Sequence, residues 1–222
     1  MTIARFVIAA TLAASPLAAH AVTVNWADLN AATATSTSGV ITVGAATVNV
    51  AIDGGKTPFA FSQINNLGTN YWTEPNPAAK PYTGGIVTNA PPTADIVALN
   101  AGGTKTITFS KAITDPYIAF VSWNGNAATF SQPFEKISEG CGYWGCGTFS
   151  LGAGNSFVGS GEVHGLLRFV GTFSTLSFTD SSEYWHGITV GIGGIAASVP
   201  EPGAILLLGL GLAGLAAARR RK

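Results

Sequence analysis

Thr104-Lys105-Thr106-Ile107-Thr108-Phe109-Ser110 alternates polar and apolar side chains with a period of two, the pattern of a strand with one face on a core and the other in water. Outward from it, short runs rich in β-branched and aromatic residues recur. They are Val40 to Val43 (VITV), Ala46 to Ile52 (ATVNVAI), Tyr117 to Trp123 (YIAFVSW), Leu166 to Val170, Leu176 to Thr179 and Gly187 to Ile192 (GITVGI). Turn formers cut them apart at Asp53-Gly54-Gly55, Asp115-Pro116, Asn124-Gly125-Asn126 and Asp180-Ser181-Ser182. No helical periodicity of useful length competes. Roughly ten short strands at this spacing predict an all-β fold, an antiparallel β-sandwich or jelly roll. The stretch from Asn65 to Pro92 is rich in Pro, Asn and Gly and reads as a long loop with short strand pieces. Neither a repeat nor a linker divides residues 22–198, so one ectodomain is expected.

The two ends differ from this middle. Arg5 and the amino terminus precede the apolar run Phe6 to Ala14, Pro16 breaks it, and Ala19-His20-Ala21 has the small-x-small form of a cleavage site. Residues 1–21 therefore read as a secretory signal peptide cut by signal peptidase, with Ala19 and Ala21 flanking the cleavage determinant. At the other end, Val199-Pro200-Glu201-Pro202 leads into sixteen uncharged residues, Gly203 to Ala218, and then Arg219, Arg220, Arg221 and Lys222. A helix over 203–218 would span roughly 24 Å against a hydrocarbon core of roughly 30 Å, a gap that local thinning and snorkelling cover. The cationic cluster belongs in the cytoplasm. Pro200 and Pro202 cannot both sit inside a helix, so they hold an accessible, extended stretch before the membrane.

These residues carry a resemblance. A Val-Pro-Glu-Pro motif, one short apolar helix and a terminal arginine run are similar to the PEP-CTERM sorting signal of Gram-negative bacteria. Pro200, Glu201 and Pro202 match its recognition motif, and Arg219, Arg220 and Arg221 its stop-transfer cluster. The resemblance covers residues 199–222. It implies processing by exosortase, a membrane-embedded transpeptidase-like enzyme, after transient anchoring in the inner membrane. The destination would be the cell surface or an extracellular matrix. Ile107 to Tyr117 and Phe173 to Ile192 also resemble ectodomain segments common on such proteins, most of which have no assigned activity.

Whole-chain composition conceals this division. Of the 222 residues 47% are apolar and 10% charged, and the formal net charge is zero. Between Val22 and Ser198 ten acids stand against six bases, a net −4. That balance suits an exported soluble domain and argues against binding nucleic acid or anionic lipid.

Cys141 and Cys146 are the only cysteines, set among Gly140, Gly142, Gly145 and Gly147. An even pair in an exported chain predicts a disulfide, and the glycines permit the tight ring. Redox catalysis favours the closer Cys-x-x-Cys spacing, and zinc needs more ligands.

Tyr-Trp occurs three times, at Tyr71-Trp72, Tyr143-Trp144 and Tyr184-Trp185. Strand neighbours point to opposite faces, so one member of each pair is expected in the core. The bland reading is packing alone. The sharper one is a carbohydrate contact that draws on Tyr71, Trp72, Tyr143 and Trp144, with sugar rings stacked on aromatic faces.

Catalytic patterns are sparse. His164 and His186 show no metal-ligand spacing, and no Gly-x-Ser-x-Gly elbow is present. Glu74, Glu162 and Glu183 offer carboxylates for a glycosidase pair, as any chain with ten acids does. No catalytic residue, metal site or cofactor is expected. A structural Ca2+ at Asp180, Ser182 and Glu183, or at Asp53, is the weak exception, and turn chemistry explains those residues equally well. Thr33-Ala34-Thr35-Ser36-Thr37 and Thr104 to Thr108 would place threonines along strand faces, which raises ice binding as a further alternative. The main expectation is a non-enzymatic structural or adhesive component of an exopolysaccharide or biofilm matrix. A carbohydrate-binding module is the first alternative and a glycan-processing enzyme the second.

Overall fold

The computed structural model describes residues 21–73 and 80–197. The signal peptide, with Ala19, and the sorting tail, with Pro200, Glu201, Pro202 and Arg219 to Arg221, lie outside the described residues. Ala21 is exposed at their edge.

Thirteen strands and no helix occur among the described residues: β1 (Asn25–Ala32), β2 (Ser36–Val43), β3 (Ala46–Asp53), β4 (Phe61–Gln63), β5 (Ile96–Leu99), β6 (Gly103–Trp123), β7 (Ala127–Phe130), β8 (Glu135–Gly140), β9 (Gly147–Gly152), β10 (Ser156–Gly161), β11 (Val163–Arg168), β12 (Thr172–Asp180) and β13 (His186–Ile195). All pair antiparallel. The ladder runs β4-β5-β13-β1-β2-β3-β6-β12-β7-β10-β9, with β11 joining β6 to β8.

β6 organises the fold. Its residues 103–114 pair with β12, and Thr106 to Phe109 also pair with β3. Residues 117–123 pair with β11, and residues 113–121 pair with β13. One strand thus passes from one layer to the other, as in sandwiches whose corners are made by bent strands. β1 does the same on a smaller scale, with Asn25 and Trp26 on β13 and Ala27 onward on β2. The turn expected at Asp115-Pro116 is therefore a bend inside a strand. Asp115 sits at φ 47 and is fixed by Arg168 Nη2 at 2.7 Å and by the Gly171 amide at 2.8 Å.

Alternate residues from both layers meet in one core, including Leu29, Ile52, Ile107, Phe120, Phe157, Leu176 and Ile188. A second cluster, with Trp26, Trp72, Tyr82, Tyr117, Val121 and Leu166, lies on the opposite face of the β13-β6-β11 layer. Tyr82 and Trp72 come from the long loop between β4 and β5. That loop covers the sheet, which explains why residues 118–123 are buried without alternation. On the quoted stretch Thr104, Thr106 and Thr108 point outward while Lys105, Ile107 and Phe109 point in. The threonine run at 33–37 does not form one strand face. Thr33 to Thr35 make the turn between β1 and β2, Thr33 Oγ1 accepts from the Ser36 amide at 3.0 Å, and Thr37 is buried against Ser62.

Candidate glycan-binding site

The disulfide forms as expected, Cys141 to Cys146, with Cα atoms 3.9 Å apart. Inside its ring Gly142 and Gly145 exchange backbone hydrogen bonds at 2.8 and 3.3 Å, so Tyr143 and Trp144 occupy the tip of a tight hairpin. Gly145 takes φ 142, a region costly for any side chain. Both aromatics are exposed, Tyr143 by 39% and Trp144 by 49%. The one-in, one-out rule fails for this pair because it sits on a turn and not on a strand.

The hairpin is held from below. Glu139 accepts the Phe149 amide at 2.7 Å and pairs with Lys136 Nζ at 2.6 Å. Gly142 packs on the buried His164 ring, and Tyr82 Oη lies 3.0 Å from His164 Nδ1. Burial pushes His164 down to about 4, so the ring is neutral near pH 7, and it shares one hydrogen bond with the tyrosine hydroxyl through Nδ1.

Three further segments bring rings to the hairpin. Tyr71 stands between Tyr143 (5.0 Å between centroids), Trp144 (6.1 Å, stacked) and Trp185 (5.1 Å). Phe61 of β4 backs Trp185 at 5.3 Å. An Asx turn sets the first of these segments: Asn70 Oδ1 accepts the Trp72 amide at 2.9 Å. Trp72 then turns inward, 2% exposed, and donates its indole N–H to the Asp95 carbonyl at 3.1 Å. Trp72 is therefore a correction to the expected glycan contacts, since its ring faces Tyr82 at 5.3 Å and not solvent. Tyr71, Tyr143 and Trp144 are brought together.

Beside the rings a cleft of about 380 Å3 is lined by Ser122, Asn124, Trp144, Glu162, Glu183, Tyr184 and Trp185. Ser122 is held at φ 59 within β6, a strained conformation that clusters at functional positions. Its hydroxyl donates to Glu162 Oε2 at 2.5 Å. Asn124 Nδ2 donates to Glu162 Oε1 at 2.9 Å, and its backbone N–H to Glu183 Oε1 at 3.3 Å. The Glu183 amide in turn reaches the Asn100 carbonyl at 3.1 Å.

A buried ion network anchors the loop that carries Glu183 and Trp185. Lys105 Nζ lies 2.8 Å from Asp180 Oδ1 and also donates to the Ala101 and Gly103 carbonyls. Asp180 Oδ2 lies 3.0 Å from His186 Nε2. Burial alone would raise the Asp180 carboxyl. Hydrogen bonds from His186 and Lys105 outweigh it and hold the group below its ordinary value. Asp180 is thus committed to protein partners, and Asp53 Oδ1 caps its own turn through the Gly55 amide at 2.6 Å. Among the described residues no three His, Cys, Asp or Glu side chains are grouped to hold a metal.

Residues 198–222 match the PEP-CTERM protein-sorting motif. That motif implies an exported protein, transiently anchored in the membrane and processed by exosortase. No curated protein and no solved structure matches it. Sequence reasoning passed over Phe61, Trp185, Ser122 and Asn124. Trp185 was signalled by the third Tyr-Trp pair, whereas Ser122 and Asn124 carry no pattern that precedes the fold.

Proposed function

We propose that this exported protein is an adhesive component of an exopolysaccharide matrix at the Gram-negative cell surface, and that it grips a saccharide unit on Trp144. The observation that carries this reading is the exposed indole, fixed at the tip of a disulfide-closed hairpin and bordered by Asn124, Glu162 and Glu183. A sugar ring presents C–H groups on its face and hydroxyls on its rim. The indole accepts the face, and the carboxylates accept hydrogen bonds from the hydroxyls. The hairpin, the ring contacts and the Asn124 bonds order these groups in advance, which lowers the entropic cost of binding.

Tryptophan fluorescence of the full chain tests this. The protein is kept in a polyoxyethylene detergent, because a glycoside detergent would compete. Titration with the host's own exopolysaccharide is expected to give a saturable shift. Trp144→Ala removes a buried contact of about 1.5 kcal/mol and weakens binding about tenfold. A flat titration overturns the reading, and hydrolysis of the polymer replaces it with a glycan-processing enzyme.

A further inference from the structure

We infer that the sugar unit held at this cleft carries a protonated amine, so that the ligand is an amino-sugar polymer with free ammonium groups. The inference rests on the saccharide reading above and narrows it.

Of the seven residues lining the cleft, the charged ones are two acids, Glu162 and Glu183, and neither Lys nor Arg is among them. Their carboxylates converge on one residue, Glu162 on the Asn124 side chain at 2.9 Å and Glu183 on the Asn124 backbone at 3.3 Å. The two carboxylates make the cleft electronegative, and a cation seated in it is favoured over an anion or a neutral group. Glu183 Oε2 is buried 3.3 Å from His186 Nδ1, so Glu162 offers the more open lone pairs to the cleft, and an ammonium brings three donors.

Aromatic faces reinforce the choice. A cation over an indole is attracted by the ring quadrupole, and both Trp144 and Trp185 border the cleft. A uronate would place a third carboxylate in a site whose charged lining is entirely acidic. An N-acetylated sugar would bring a neutral amide where the charge complement is an ammonium.

The test is equilibrium binding of the full chain, in the same detergent and below neutral pH, to hexamers of glucosamine, N-acetylglucosamine, glucuronate and neutral glucose. The glucosamine hexamer is expected to bind about fivefold tighter than the acetylated one, the scale of a partly exposed charge pair. Salt should narrow that margin. Glu162→Gln and Glu183→Gln should remove that margin, read as the ratio between the two glucosamine ligands, because both also lose an acceptor for the hydroxyls of every hexamer. Equal or tighter binding of the acetylated or uronate hexamer overturns the inference and leaves the saccharide reading standing. So does a glucosamine preference that survives both glutamate variants and Trp144→Ala, which would reflect general attraction to an acidic protein. If none of the four hexamers binds, the amino-sugar inference falls, and the titration with the host's exopolysaccharide decides the saccharide reading separately. The ligand comparison on the unaltered chain needs no variant to fold.

Discussion

Gly142 lies flat against the imidazole of His164: a β-carbon built on Gly142 would stand 2.4 Å from His164 Cγ and 2.5 Å from Nδ1. The ring that closes over this contact is the one that presents Tyr143 and Trp144. The buried histidine and the exposed shelf are therefore two sides of one hairpin. Gly142→Ala should displace the hairpin, lower stability by about 1–3 kcal/mol as overpacking does, and weaken glycan binding. Unchanged melting and unchanged binding would show that the hairpin does not depend on this contact.

Acid should loosen the same place. An unfolded chain takes up the His164 proton near the ordinary 6.5, while the folded protein resists until about 4. The stabilisation from keeping the ring neutral is complete above 6.5 and is lost as pH falls through that interval, on the order of 3 kcal/mol in all. Asp180, held below its ordinary 3.8, adds a further loss at still lower pH. His164→Gln should flatten the first part of a melting temperature–pH curve. An identical slope in the variant would locate the acid sensitivity elsewhere.

Reducing Cys141–Cys146 should cost about 2 kcal/mol, a few degrees of melting temperature. Emission from Trp144 should shift to the red as the hairpin opens, and the affinity for glycan should fall with it. Loss of stability without loss of binding would separate the bridge from the site.

Lys105→Met leaves Asp180 buried with its cation gone, which should destabilise the domain by about 3 kcal/mol or more. Thermal denaturation measures this, and a neutral result would mean that His186 and the Gly103 amide suffice for the carboxylate.

Replacing Pro200 and Pro202 with alanine should leave the protein in the inner membrane, since the motif matched to the sorting signal would be lost. Fractionation of cells producing the variant checks this, and unchanged release would overturn the role given to the motif.

The strands were legible where one face alone is covered, as at Thr104 to Ser110, because water on the other face imposes the period of two. They were less legible in Tyr117 to Trp123, where the long loop covers the second face and the period disappears. The bend at Asp115 was read as a turn because Asp-Pro is a turn signal, and the ion pair with Arg168 that keeps the strand continuous joins residues far apart in sequence. Three of the four expected aromatics reach the site. Trp72 does not, because a hydrogen bond to the Asp95 carbonyl and packing on Tyr82 decide its direction, and neither is visible before the chain folds. Convergence of Glu162 and Glu183 depends on Asn124, which in sequence is only part of a turn.

β13 begins at His186, one residue after Trp185 of the cleft, and ends at Ile195, three residues before the sorting motif. It is bonded along its length to β6 on one side and to β5 and β1 on the other. On the reading proposed above, while the tail is held in the envelope a pull on a polymer gripped at Trp144 crosses from the hairpin through the sheet into β13, roughly 33 Å of strand, before it reaches the tail. The inter-strand hydrogen bonds lie perpendicular to that pull. They are loaded together in shear and do not unzip one at a time, so the strand that joins ligand to anchor is a tether built to resist traction.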